Sequence, residues 1–271
     1  MRFEDFARSH GLILRDIQYD KWVSTPTEDH PNKRNGRYKI IGDVAWVQNW
    51  ATMERPAMWK SESASIRPAQ MRQALVNADR ERQELAEKAA SKAAWILHQC
   101  KPDTHPYLKK KGFEEEVGNV WDGTLVIPMR RAGRLVGCQL IDEEGKKKFL
   151  HGQTSKGATF VLDAKGLPVF CEGFATALSI RAVMKAAKIR YSIHVCFSAS
   201  NLQHIAGQIP GGFVVADHDP NGVGQKAAVV TNKPYWLSDT VGEDFNDYHL
   251  RVGLFKASQS LMKVLIQTNP F

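Results

Sequence analysis

Beyond residue 165 the chain holds seven carboxylates, and six of them stand in three short groups: Glu172; Asp217 and Asp219; and Glu243, Asp244 and Asp247. Solvated acids normally scatter, so this gathering asks for a chemical cause. Glu172 follows Val169-Phe170-Cys171, and Asp217 follows Phe213-Val214-Val215-Ala216. The third group comes a short loop after Tyr235-Trp236-Leu237. In a parallel, helix-covered sheet, ligands collect beyond the carboxyl ends of the strands. Carboxylates brought together there repel one another unless a cation lies between them. Mg²⁺ (or Mn²⁺) takes oxygen ligands, typically one or two carboxylates completed by water and phosphate. Asp217-His218-Asp219 sets both carboxylates on one side of an extended segment, where both can face one metal. Singly, each group has a structural reading: Glu172 before Gly173 as a helix cap, and residues 217–222 as a turn. Three groups converging at strand ends favour the metal.

The cations are distributed differently. In 271 residues there are 37 Lys and Arg against 29 Asp and Glu, a net charge of +8 with a pI near 9.3. Residues 1–165 carry 28 of the bases and 22 of the acids, and residues 166–271 carry 9 and 7. Such a surplus favours a polyanionic partner. With 43% hydrophobic and 24% charged residues and a mean hydropathy of −0.37, the chain is neither a disordered tail, nor a collagen, nor a membrane bundle. No apolar run nears the roughly 20 residues of a spanning helix. Residues 1–10 lack the apolar core of a signal peptide, so a cytoplasmic location is expected. Cys100, Cys138, Cys171 and Cys196 form no CxxC pair and read as reduced thiols, so no zinc is expected.

The elements that must position these groups follow from periodicity. Residues 1–66 read as a small β-rich unit with a hairpin of 38–41 and 44–47 about Gly42-Asp43, and with Trp22, Trp46, Trp50 and Trp59 nearby. Residues 67–100 read as a helical connector free of internal Pro and Gly after Pro68, with Leu75, Leu85, Ala89, Trp95 and Ile96 as its buried stripe. Residues 101–165 read as a mixed β subdomain rich in cations, with strands at 124–129, 135–141 and 148–150. From 166 to 271, strands at 168–171, 193–197, 212–216 and 235–237 alternate with helices, closing on a helix over 254–267. The expected fold class is therefore α+β with a parallel α/β domain at its C-terminal end.

Phe170-Cys171-Glu172-Gly173, then Ala216-Asp217-His218-Asp219-Pro220-Asn221-Gly222 followed by Ala227-Ala228, resembles the Toprim domain of primases, topoisomerases and related nucleases. Gly242-Glu243-Asp244-Phe245-Asn246-Asp247 is similar to the closing acidic segment of phage and plasmid primases. Glu172-Gly173-Phe174-Ala175-Thr176-Ala177 and Ser198-Ala199-Ser200-Asn201-Leu202 resemble the same branch. The likeness covers about 166–250. A second one, in Leu125-Val126-Ile127-Pro128-Met129-Arg130-Arg131-Ala132-Gly133-Arg134 and in Gly145-Lys146-Lys147-Lys148-Phe149-Leu150 with Ser155-Lys156-Gly157, is to the basic segment of the bacterial-type primase core. His105-Pro106-Tyr107-Leu108 with Lys109–Lys111 and Gly112 resembles the opening of that core. The resemblance implies that Arg130, Arg134, Lys148 and Lys156 contact template or nucleotide phosphates, while Lys109–Lys111 and Lys146–Lys147 read as a solvated face. Two departures stand out. No cysteine precedes Cys100, and His10 and His30 do not replace a zinc-ribbon ligand set; Trp22, Trp46 and Trp50 are expected to fill the core of a metal-free relative, the alternative being that they stack on single-stranded bases. Gln139 stands where the family's motif usually carries another arginine.

What the resemblance implies is a DNA primase that makes short RNA primers on single-stranded DNA from NTPs. Glu172, Asp217 and Asp219 would be catalytic and hold Mg²⁺ or Mn²⁺, with Asp244 and Asp247 completing or orienting that set and Glu243 and Asn246 standing in the same segment; Glu172 is alternatively a general base. No GxxxxGK[ST] loop occurs, so the replicative helicase is expected as a separate partner, in a phage or mobile element within a bacterial cytoplasm. The rivals are a Toprim nuclease, which would use the same acids with water as nucleophile, and a non-catalytic nucleic-acid-binding accessory protein.

Overall fold

Gly42 at φ +54 turns the chain between β2 (Gly36–Ile41) and β3 (Val44–Asn49), as the alternating pattern on either side demands. In this computed structural model the described residues are 1–53, 55–61, 68–163 and 165–268. They form seven helices and three sheets in two units, Met1–Arg80 and Glu81–Phe271. In the first unit α1 (Phe3–Ser9) precedes an antiparallel meander of β1 (Val23–Thr25), β2, β3 and β4 (Ala57–Lys60). Phe3, Ala7, Leu12, Tyr38, Ile40, Ala45 and Val47 fill its core. The expectation of a tryptophan core is corrected here. Trp22 is 37% and Trp50 48% exposed, and the Arg37 guanidinium lies 4.3 and 5.8 Å from their ring centroids. Trp46 alternates with core residues Ala45 and Val47 and so leaves their face. The indole that does pack on the core is Trp59, edge-on to Phe3.

The unit boundary falls inside α2 (Pro68–Gln99). Ala89, Ala93 and Ile96, spaced for one helix face, bury against Val126, Cys138 and Leu150. Trp95 lies off that stripe and is exposed; Leu85 continues the stripe one turn earlier, beside Gly152, yet is 39% exposed; and the side chain of Leu75 lies outside the described residues.

The second unit starts with an antiparallel meander: β5 (Lys101–Asp103), β6 (Gly118–Trp121), β7 (Thr124–Arg131), β8 (Arg134–Ile141) and β9 (Lys147–Phe149), with α3 (Pro106–Lys110) inserted after β5. Its second sheet joins β10 (Phe160–Asp163), β11 (Leu167–Cys171), β12 (Tyr191–Val195), β13 (Phe213–Val215) and β14 (Tyr235–Trp236) in the order β10-β12-β11-β13-β14. β11 to β14 are parallel, as expected. β10 is an antiparallel edge strand in register with β12, so the sheet is mixed rather than purely parallel. α4 (Phe174–Ala186), α5 (Ala199–Gln208), α6 (Val223–Val230) and α7 (Phe245–Thr268) complete the unit. Gly253, at φ 79 and ψ 162, interrupts α7; the helix expected from 254 is its second segment. Among the described residues no helix is long and apolar enough to cross a membrane.

Candidate active site

Strand order reverses between β11 and β13, the place where an open α/β sheet forms its crevice. Glu172 leaves the carboxyl end of β11, and Asp217 lies two residues beyond that of β13. Phe197 is in the left-handed region at φ +66, and from there its N–H donates to the Glu172 carbonyl at 2.9 Å. The Glu172 carboxylate itself accepts from the Ala199 N–H at the start of α5. Gly224 allows α6 to approach Asp217 closely, since a Cβ there would lie 2.3 Å from the Asp217 carbonyl oxygen. Asp219 accepts from the Gly224 N–H at 3.2 Å, so it also caps α6.

The third acidic group reaches this place through the backbone. His218 N–H donates to the Glu243 carbonyl (3.3 Å), and Gly242 N–H donates to the His218 carbonyl (2.6 Å). Asp244 then caps α7 by accepting from the Asp247 N–H at 2.8 Å. The geometry separates the members of this group. Glu243 turns inward to Arg251 (2.7 Å) and Ser238, which makes it structural. Asn246 is fully buried, donating to the Lys111 carbonyl (2.9 Å) and to Ser179 Oγ (3.0 Å), and acts as a strut. His218 likewise binds the Ser238 carbonyl through Nδ1 at 2.9 Å.

Electrostatics mark Glu172 and Asp217 among these acids. Burial, then Asp219, raises the Glu172 carboxyl to about 7, against the pull of the Ala199 N–H and Lys147. Burial, then Glu172, Asp244 and Asp219, raises Asp217 to about 8, with Lys147 again opposing. Asp217 Oδ1 is buried without a hydrogen-bond partner among the described residues. An orphaned carboxylate oxygen surrounded by other carboxylates is a donor set that fits a hard divalent cation. Among the described residues no three or more His, Cys, Asp or Glu side chains are already closed around one point.

The four cations singled out in the sequence divide. Arg130 and Lys156 line one cleft of about 800 Å³ with Arg131, His194 and His204. Backbone bonds between Arg130 and Thr159 (2.9 and 2.8 Å) tie the β7–β8 hairpin to the segment that enters β10. Arg134 and Lys148 are exposed and line no described cavity. Sequence reasoning set aside Lys111 and Lys147 as solvated, yet both line a smaller cavity beside Asp244 and Asp247. Lys111 Nζ pairs with Asp247 at 2.9 Å. Strand phase would reveal Lys147 only if the ends of β9 were known. Asn201, quoted in the Ser198–Leu202 motif without a role, has one here: its amide donates to the Ala158 (2.8 Å) and Cys196 (2.7 Å) carbonyls and accepts from Gly157 N–H (2.7 Å), fixing the loop that carries Lys156.

No known family model matches the chain. A search of solved structures finds similarity to a chain in the complex of bacteriophage T7 lagging-strand DNA polymerase with the primase domains of two gp4 subunits bound to an RNA/DNA hybrid and dTTP. The TM-score is 0.42 at 16% identity, covering 64% of this chain and 94% of that one. The primase fragment of the bacteriophage T7 primase-helicase protein is similar at a TM-score of 0.38 and 16% identity, covering 59% of this chain and 69% of that one.

Proposed function

We propose that the chain is a DNA primase that synthesises short RNA primers on single-stranded DNA by metal-dependent nucleotidyl transfer. The observation that carries the reading is the pairing of Glu172 and Asp217 across the β11/β13 crevice, both raised by burial and by neighbouring carboxylates. The Toprim-like order of the acidic motifs, and the cationic cleft in the same unit, support it. Asp217 and Asp219, with Glu172, would hold Mg²⁺ or Mn²⁺, and Asp244 and Asp247 would complete or orient the set. When bound, the cation lowers the pKa of the attacking 3′-hydroxyl and neutralises triphosphate charge. Glu172 is alternatively the general base that accepts the 3′-hydroxyl proton. Arg130 and Lys156 grip template phosphates without reading sequence. The rest is positioning. The expected setting is a phage or mobile element in a bacterial cytoplasm, with the replicative helicase as a separate partner.

Single-stranded templates of varied sequence, Mg²⁺ and labelled NTPs provide the test. A ladder of short RNA, abolished by Asp217→Asn, is the expected result. Degradation of the template would identify a nuclease. DNA binding without either product, unchanged in Asp217→Asn and Asp219→Asn, would identify an accessory protein.

A further inference from the structure

The cavity of about 280 Å³ beside Asp244 and Asp247 opens on the first turn of α4, a helix of 13 residues with no side-chain cap at Gly173. Ala177 is the first residue whose N–H finds a backbone acceptor there, the Gly173 carbonyl, which leaves the amides of residues 174–176 as donors. Thr176 lines the cavity at 1% exposure, and its hydroxyl has no hydrogen-bond partner among the described residues. Lys110, Lys111 and Lys147 supply positive charge to the same walls.

Gly173 adds an independent sign. Its backbone, at φ −102 and ψ 151, is open to any residue. A Cβ built there meets nothing closer than 3.5 Å, its neighbours being Thr176 Oγ1 at that distance and Lys147 Nζ at 3.9 Å. Nothing in the fold requires glycine at this position. What a side chain would occupy is the space between an ammonium and an unpartnered hydroxyl, at a helix N-terminus whose dipole favours an anion.

We infer that the first turn of α4, with Thr176 and Lys147, seats the β- and γ-phosphates of the incoming nucleotide and then the pyrophosphate that leaves; this rests on the nucleotidyl-transfer reading of the acidic centre. In that reaction the primer 3′-oxygen bonds the α-phosphorus, and the bond from that phosphorus to the bridging oxygen breaks. The bridging oxygen leaves with the electron pair on pyrophosphate, and the 3′-hydroxyl proton passes to Glu172 or solvent. Three carboxylates, Glu144, Asp244 and Asp247, also line the cavity, and Lys111 already neutralises Asp247. A polyphosphate enters such a place as its Mg²⁺ complex, with its negative oxygens on the α4 side.

Isothermal titration of the full chain with Mg²⁺-pyrophosphate tests the seat. Thr176→Val and Lys147→Gln are each expected to weaken binding by about tenfold, the worth of one charged hydrogen bond, and Gly173→Ala by a similar factor because its methyl group fills the seat. Lys146→Gln removes the same charge one residue away and is expected to bind as wild type. Lys147 lies on the surface, so its variant stays informative should a substitution in α4 disturb folding. Wild-type affinity in all three variants, or an equal loss in Lys146→Gln, overturns the seat. Primer synthesis, run in parallel, reads the underlying reaction separately. Weakened pyrophosphate binding in a protein that makes no primers would leave the seat standing and sink the primase reading; unchanged binding alongside primer synthesis would do the reverse.

Discussion

Asp217 and Glu172 keep their protons into a pH range where an ordinary carboxyl has lost its own. Between the usual carboxylate range and about 8, the unfolded chain therefore releases protons that the folded chain retains, and folding stability falls as pH rises. Above that value both states are ionised and the loss levels off. The melting temperature of metal-free protein is thus expected to drop by several degrees between about pH 5 and about pH 8. Mg²⁺ should recover most of the drop at the upper end, because it binds the ionised acids, and Asp217→Asn should flatten the profile. A metal-free profile that rises with pH would contradict this account. Asn201 gives a second residue-scale prediction. Asn201→Ala strands two buried backbone carbonyls and the half-buried Gly157 N–H and should cost about 3 kcal/mol in chemical unfolding, and it should weaken single-stranded DNA binding by freeing the Lys156 loop. At this scale the placement of Glu172 and Asp217 beyond strand ends was legible, because each directly follows a short apolar run. Glu243 was not, because the Arg251 that claims it stands eight residues away on a helix whose start the pattern had missed. Lys147 was hidden in a run of three lysines, where a shift of one residue reverses which face each occupies.

Among the elements, the apolar strands β7, β8, β11, β12 and β13 stood out from their composition, and α2 from its freedom from breakers. The short strands β5 and β6 and the five-residue α3 carried no such signal, since their pairing partners rather than their own residues make them regular. The N-terminal tryptophans misled for a related reason. A large aromatic residue reads as core, but a two-sided sheet offers it either face, and Trp22 and Trp50 flank Arg37 instead. Element packing also constrains the site. Gly224→Ala would drive a Cβ into the Asp217 carbonyl, forcing α6 or the Asp217 loop to move. A loss of about 2 kcal/mol is expected on thermal or denaturant unfolding, together with a weakened stabilising response to Mg²⁺. Wild-type behaviour in both measurements would show that α6 has slack.

Over the whole molecule, the basic surplus is shared by both units, and the unit that begins at Glu81 holds both a cationic cleft and an acidic crevice. If Arg130 and Lys156 each hold one template phosphate, the dependence of log affinity for single-stranded DNA on log salt should lessen by about 1.4 in the double variant Arg130→Gln, Lys156→Gln. An unchanged slope would remove them from the template path. Segment boundaries drawn from sequence placed residues 101–165 and 166–271 apart, yet both lie in the unit that begins at Glu81. β10 ends at residue 163 and still shields the outer edge of β12 through four residue pairs. A recombinant fragment cut at 166 would therefore present the bare flank of a hydrophobic strand to other copies of itself. Its solubility, compared with that of a fragment starting near 81, would measure how far the last third of the chain depends on what precedes it.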